Sequence, residues 1–75
     1  MAKANVERVI VTVQDQHIPA IQSVANALQS AGMHVTNVLP AAGVITGEVG
    51  PAQKQALTTV AGVAAVEADQ EMHTM

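Results

Sequence analysis

The sequence has no phenylalanine, tyrosine, tryptophan or cysteine among its 75 residues. Without aromatic side chains it has no platform on which nucleic-acid bases could stack. Without cysteine it has no disulfide, no thiolate metal site and no cysteine nucleophile. The hydrophobic core must therefore be built from Val, Ile, Leu, Ala and Met, which make up the whole of the 49% apolar fraction.

Basic residues are also scarce. Lys3, Arg8 and Lys54 stand against six acids, for a net charge of −3, and three scattered cations cannot neutralise a row of phosphates. No apolar run approaches the roughly 18 residues that span a bilayer, and the N-terminus leads into a strand pattern without a signal peptide. We therefore expect a cytoplasmic protein that binds neither nucleic acid nor membrane.

Hydrophobic periodicity divides the chain into four strands and two helices. Helical spacing predicts a helix over residues 18–31, with Pro19 in its first turn and Gly32 after its end, and a second helix that begins at Pro51 and closes at Gly62. β-branched residues dominate the first strand, and both of its faces are largely apolar, which favours a central position. Alternation with a period of two predicts the strands at residues 6–13, 33–39, 44–49 and 63–69.

The same periods predict which side chains face the core. Gly47 interrupts the third strand, where it indicates a bulge or a close backbone approach. The predicted buried stripe of the second helix is Ala52, Ala56, Leu57, Val60 and Ala61. In the second strand one face is predicted to carry Met33, Val35 and Leu39, and the other His34, Thr36 and Val38.

The element order β-α-β-β-α-β predicts one α+β domain over residues 1–75 with a ferredoxin-like arrangement. Right-handed crossovers would place both helices on one face of a four-stranded antiparallel sheet. The other face is then open. We expect Ile10 and Val63 on it beside Thr12, and exposed apolar surface of this kind indicates a partner.

Little in the sequence indicates catalysis. His17, His34 and His73 lie far apart, and none has the spacing of a metal ligand with another histidine or a carboxylate. Asp15 and the acids of the last strand have no nucleophile close by in sequence, and the loop after the first strand lacks the glycines of a phosphate cradle. We therefore expect no metal, no cofactor and no enzymatic activity.

Three of the six acids fall within five residues, at Glu67, Asp69 and Glu71. At a spacing of two on a strand, Glu67 and Asp69 project from the same sheet face. The spacing alone favours a solvated strand end that discourages edge pairing. The alternative is that both carboxylates accept hydrogen bonds from helix N-termini of a partner, which are natural anion sites.

The C-terminal block carries a resemblance to a known family. Val66-Glu67-Ala68-Asp69 followed by six residues, Gln70 to Met75, resembles the end of subtilisin propeptides. It resembles more closely the small free-standing inhibitors related to them, the fungal proteinase B inhibitor family, whose members share the β-α-β-β-α-β order. The Glu-x-His-Thr portion, Glu71 to Thr74, also occurs in that family, and weaker similarity covers Val9-Ile10-Val11 and the segment from Gly43 to Pro51.

The resemblance implies that the partner is a subtilisin-like serine protease. The open sheet face would lie against two parallel surface helices of the protease, whose N-termini Glu67 and Asp69 would cap. We expect the chain to be a monomer when free. Binding through one surface would both inhibit the protease and assist folding of a cognate catalytic domain, since a binder of the native state stabilises it.

The family resemblance also assigns a role to residues 70–75, an extended tail that would enter the active-site cleft. Met75 would fill the primary specificity pocket and Met72 an apolar pocket three residues earlier, with His73 and Thr74 between them. Methionine is flexible and apolar, which suits a roomy hydrophobic pocket. The terminal carboxylate of Met75 would sit where that of a cleavage product does, so inhibition would be product mimicry.

Two other functions compete with inhibition. Asp15 after the first strand, followed by Ile18 and Pro19, resembles the amino-acid-sensing ACT-type domains, which bind small molecules as edge-to-edge dimers. A purely structural subunit would instead dock through the open face without needing the last four residues.

Overall fold

The computed structural model describes residues 6–68, which form a four-stranded sheet and two α-helices. The sheet order is β2-β3-β1-β4 and its paired strands are antiparallel, so the predicted α+β, ferredoxin-like arrangement is confirmed. β1 lies between β3 and β4, as its apolar faces predicted. Asp69, which was expected to end the last strand, lies outside the described residues. The elements in chain order are β1 (Glu7–Val13), α1 (Ile21–Ser30), β2 (His34–Leu39), β3 (Val44–Val49), α2 (Pro51–Leu57) and β4 (Val63–Ala68).

Both helices pack on the same face of the sheet. In β1, Val9, Val11 and Val13 are buried, and they belong to one cluster that also holds Leu28 of α1 and Leu57 of α2. The cluster consists entirely of aliphatic residues and methionine, as the absence of aromatic residues requires. Its members are Val9, Val11, Val13, Ile21, Val24, Ala25, Leu28, Met33, Ile45, Val49, Leu57 and Val63.

The predicted helix over residues 18–31 is two pieces in the structure. A 3₁₀ helix covers Asp15–Ala20 and contains Pro19, and α1 begins only at Ile21. Proline has no N–H to donate, and Ala20 has φ −112° and ψ 33°, outside the helical region. The backbone therefore changes direction at Ala20 before the regular helix starts.

Gly32 ends α1 as predicted. Its φ of +109° lies in the left-handed region that favours glycine. The Gly32 N–H donates to the Gln29 carbonyl at 3.0 Å, and the Met33 N–H donates to the Leu28 carbonyl at 3.0 Å, the pair of bonds that defines a Schellman motif. Leu28 and Met33 are both buried, so the turn joins the helix end to the core.

The second helix is shorter than predicted. It ends at Leu57, and the hydroxyls of Thr58 and Thr59 each donate to a carbonyl three residues earlier, at 2.7 Å. Hydroxyls that bond to nearby backbone compete with helix continuation, so Gly62 does not close α2. The predicted buried stripe is wrong in part: Leu57 is buried and Val60 half-buried, but the alanines at positions 52, 56 and 61 are exposed.

Two predicted orientations in the strands are wrong. A register shift between Val35 and Asn37 adds one residue to β2, so Val38 packs against the core while Leu39 is 44% exposed. Val63 was expected on the open face but is buried, 8% exposed, because a second register shift pairs it with Val13 of the core face.

At Gly47 the backbones of β3 and β2 approach closely. A glycine within the third strand predicted either such an approach or a bulge. A Cβ at this position would collide with the carbonyl oxygen of His34 and would lie 2.9 Å from the Cε of Met33. The bulge itself lies on β2, opposite this point. Glycine is therefore required here for space.

None of the helices in residues 6–68 is both long and apolar enough to cross a membrane.

Candidate protein-binding surface

The face of the sheet opposite the helices, here called the open face, is formed by alternate residues of all four strands. In an antiparallel sheet directly paired residues project from the same side, with Cβ atoms about 4.5–5.5 Å apart. The register therefore arranges the open face in three cross-strand rows. The rows are Leu39–Val44–Thr12–Ala65, then Asn37–Thr46–Ile10–Glu67, and then His34–Glu48–Arg8.

The first row is mostly apolar. Leu39 at 44% exposure pairs with the half-buried Val44, and Thr12 and Ala65 continue the row towards β4. Ile10 in the next row is also half-buried. These side chains make an apolar patch that β1, β3 and the edge strand β2 hold in fixed register.

Glu67 lies at the β4 end of the middle row, exposed and directly paired with Ile10. The structure therefore places this carboxylate on the open face beside an apolar side chain. Its predicted companion, Asp69, lies outside the described residues. The described residues also exclude the proposed tail residues Met72, His73, Thr74 and Met75.

The third row is charged and borders a polar concavity of about 340 Å³. Arg8 and His34 stand on either side of Glu48, which is half-buried. The hydroxyl of Thr36, at the β2 bulge, donates to the Thr46 carbonyl at 3.2 Å and closes the outer side. The lining residues are Arg8, Thr36, Asn37, Thr46, Gly47 and Glu48.

Two other depressions are present, and one of them reaches Thr12 of the open face. A groove of about 270 Å³ runs between α2 and β4 and is lined by Pro51, Lys54, Gln55, Thr58 and Val66. A shallow concavity of about 550 Å³ follows β1, and exposed Asp15 contributes to its lining. Within residues 6–68 no three His, Asp or Glu side chains gather as metal ligands would.

Sequence reasoning missed the concavity around Glu48. Its members come from three strands, and only the position of the β2 bulge decides that Asn37, rather than Thr36, pairs with Thr46. Alternation of polar residues in β3, at Thr46 and Glu48, was the available signal for an outward polar surface. It did not reveal which residues of the other strands would border it.

Comparison of the chain with protein-family models, with curated proteins and with solved structures finds no match.

Proposed function

We propose that this protein inhibits a subtilisin-like serine protease by docking its open face on the protease and extending residues 70–75 into the active-site cleft. The observation that carries the proposal is the position of Glu67. It lies exposed on the open face, next to the apolar Ile10, on the strand that leads directly into the proposed tail.

Glu67 suits a contact with a helix N-terminus. Such termini present unpaired N–H groups and a positive dipole end, each favourable to a carboxylate. An apolar patch beside an acid fits an interface in which apolar residues exclude water around a charged contact. The same surface would stabilise a folding catalytic domain, which is the chaperone role that the resemblance implies.

The size of the open face explains why a tail is needed. Three rows about 6.7 Å apart on four strands about 4.8 Å apart give a flat area of roughly 400 Å². A stable interface buries about 800 Å² on each partner. Six extended residues span about 20 Å, so the proposed tail would supply much of the remaining contact and would direct it into the cleft.

Inhibition of a broad-specificity subtilisin, measured with the full chain and with variants of its tail, tests the proposal. Replacing Met72 and Met75 together by alanine removes the side chains proposed to fill pockets, and we expect the inhibition constant to rise about 100-fold or more, since each buried Met contributes ~1.5–3 kcal/mol. The matched control replaces His73 and Thr74 by alanine, for which we expect a change of a few-fold. Competitive inhibition that survives removal of residues 72–75 would refute the proposed role of the tail.

The concavity beside Asp15 gives the ACT-like alternative a physical location. That function predicts a dimer by light scattering and a melting temperature raised by a free amino acid. A monomer that inhibits a subtilisin, and whose melting temperature amino acids leave unchanged, decides against it.

A further inference from the structure

The charged row of the open face contains the carboxylate of Glu48. Glu48 is half-buried at the polar concavity, yet within residues 6–68 no hydrogen bond or ion pair reaches its side chain. Glu7 shows the contrast, since its Oε1 accepts from the Lys54 Nζ at 3.1 Å. Partial burial removes water from a carboxylate and leaves it favourable to an incoming charged donor.

The electrostatics of the open face favour a cation as that donor. Among the described residues the face carries Arg8 against Glu48 and Glu67, with His34 at the edge, and the whole chain has a net charge of −3. Asn37 and Thr46 add an amide oxygen and a hydroxyl oxygen to the same concavity, which Arg8 and Thr36 also line. A guanidinium or ammonium group is the kind of donor that forms the stronger, charge-assisted hydrogen bonds with a carboxylate.

The concavity also has a defined position relative to the tail. β4 runs from the apolar row towards the charged row, because Ala65 pairs with Thr12 and Ala68 with Val9. β4 therefore ends at the charged end of the open face. In the proposed complex the concavity lies on the side of the interface nearest the cleft.

We propose that Glu48 receives a basic side chain of the protease surface, and that this contact fixes the rotation of the open face on the enzyme and selects among subtilisin-like proteases. This inference rests on the proposed function. The apolar row would meet an apolar part of the enzyme and the charged row a basic one, so only one docking direction satisfies both ends of the face.

The experiment measures inhibition of the same subtilisin by Glu48→Gln and by Gln29→Lys. Both changes make the net charge one unit more positive. Gln29 is exposed on α1, which packs on the sheet face opposite the open face, so Gln29→Lys is the control. We expect the inhibition constant to rise about tenfold or more for Glu48→Gln, as loss of one partner of a desolvated charge pair does. For Gln29→Lys we expect a change of less than about twofold, since a charge remote from the contact is screened by salt.

A gain-of-charge variant keeps the test decisive if Glu48→Gln fails to fold. Asn37→Asp adds a carboxylate to the same concavity on the exposed edge strand, and the inhibition constant should fall a few-fold at low salt. If the unsubstituted chain inhibits and neither variant differs from it, the role of Glu48 is refuted while the proposed function stands. If the unsubstituted chain does not inhibit at all, the proposed function fails and this inference fails with it.

Discussion

Replacing Leu57 by alanine tests how the small core holds α2. Leu57 is 0% exposed and is the buried residue of that helix, so it alone joins α2 to the core cluster by a fully buried contact. A Leu→Ala change at such a site costs about 2.7–5 kcal/mol, according to how far the surroundings collapse into the cavity. A two-turn helix can shift to fill part of the space, and we therefore expect a loss of about 3 kcal/mol.

That loss is large against the whole stability of the domain. A single core of this size supplies roughly 3–5 kcal/mol, so Leu57→Ala should leave a substantial unfolded fraction at room temperature. Leu39→Ala is the matched control, because the same atoms are removed from a side chain that is 44% exposed. It should cost about 1 kcal/mol or less.

Urea unfolding followed by far-ultraviolet circular dichroism measures both variants, since the chain has no tryptophan or tyrosine for fluorescence. With a slope of about 1 kcal/mol per molar urea, a 3 kcal/mol loss moves the midpoint by about 3 M. Equal midpoints for Leu57→Ala and Leu39→Ala would show that α2 is not anchored through Leu57, and the assignment of the core would have to be revised.

Two further substitutions test the packing around the sheet. Gly47→Ala should lower the free energy of unfolding by about 2 kcal/mol, because its Cβ would collide with the His34 carbonyl and crowd Met33; a thermal melt equal to that of the unsubstituted protein would contradict the close approach. Lys54→Met removes the 3.1 Å ion pair with Glu7, whose two side chains are 34% and 44% exposed. We expect a loss below about 1 kcal/mol that shrinks as salt is added, and a larger, salt-independent loss measured by urea unfolding would contradict that reading.

The fold was predictable because the alternation of apolar residues in the strands agrees with the positions of the glycine and proline residues that bound the helices. The valines of β1 and the residues of β3 alternate without interruption, and Gly32 and Pro51 mark the end of α1 and the start of α2 as expected. The errors arose where a local feature depends on tertiary context. A single added residue at the β2 bulge turns Leu39 to the face opposite the predicted one. No property of the sequence around Thr36 predicts this bulge.

The candidate site was less predictable than the fold. Strand alternation predicted that Glu67 projects from the open face, and the structure has it there, exposed and paired with Ile10; its contact with a protease stays a prediction. Glu48 carried no comparable signal, since its environment is assembled from residues 8, 34 and 37 on other strands. Local patterns identify elements, whereas a surface built across strands depends on the register, which the bulge fixes.

The pairing of β4 with β1 has a mechanical consequence. β4 is an edge strand, held along its length from the Val63–Val13 pair to the Ala68–Val9 pair. Tension applied to the chain beyond Ala68 along the strand axis pulls β4 past its antiparallel neighbour, so the hydrogen bonds of the ladder share the load in shear. Tension across the sheet would instead break those bonds one at a time, beginning at Ala68. A force directed along β4 therefore meets more resistance than a force that peels β4 away from β1.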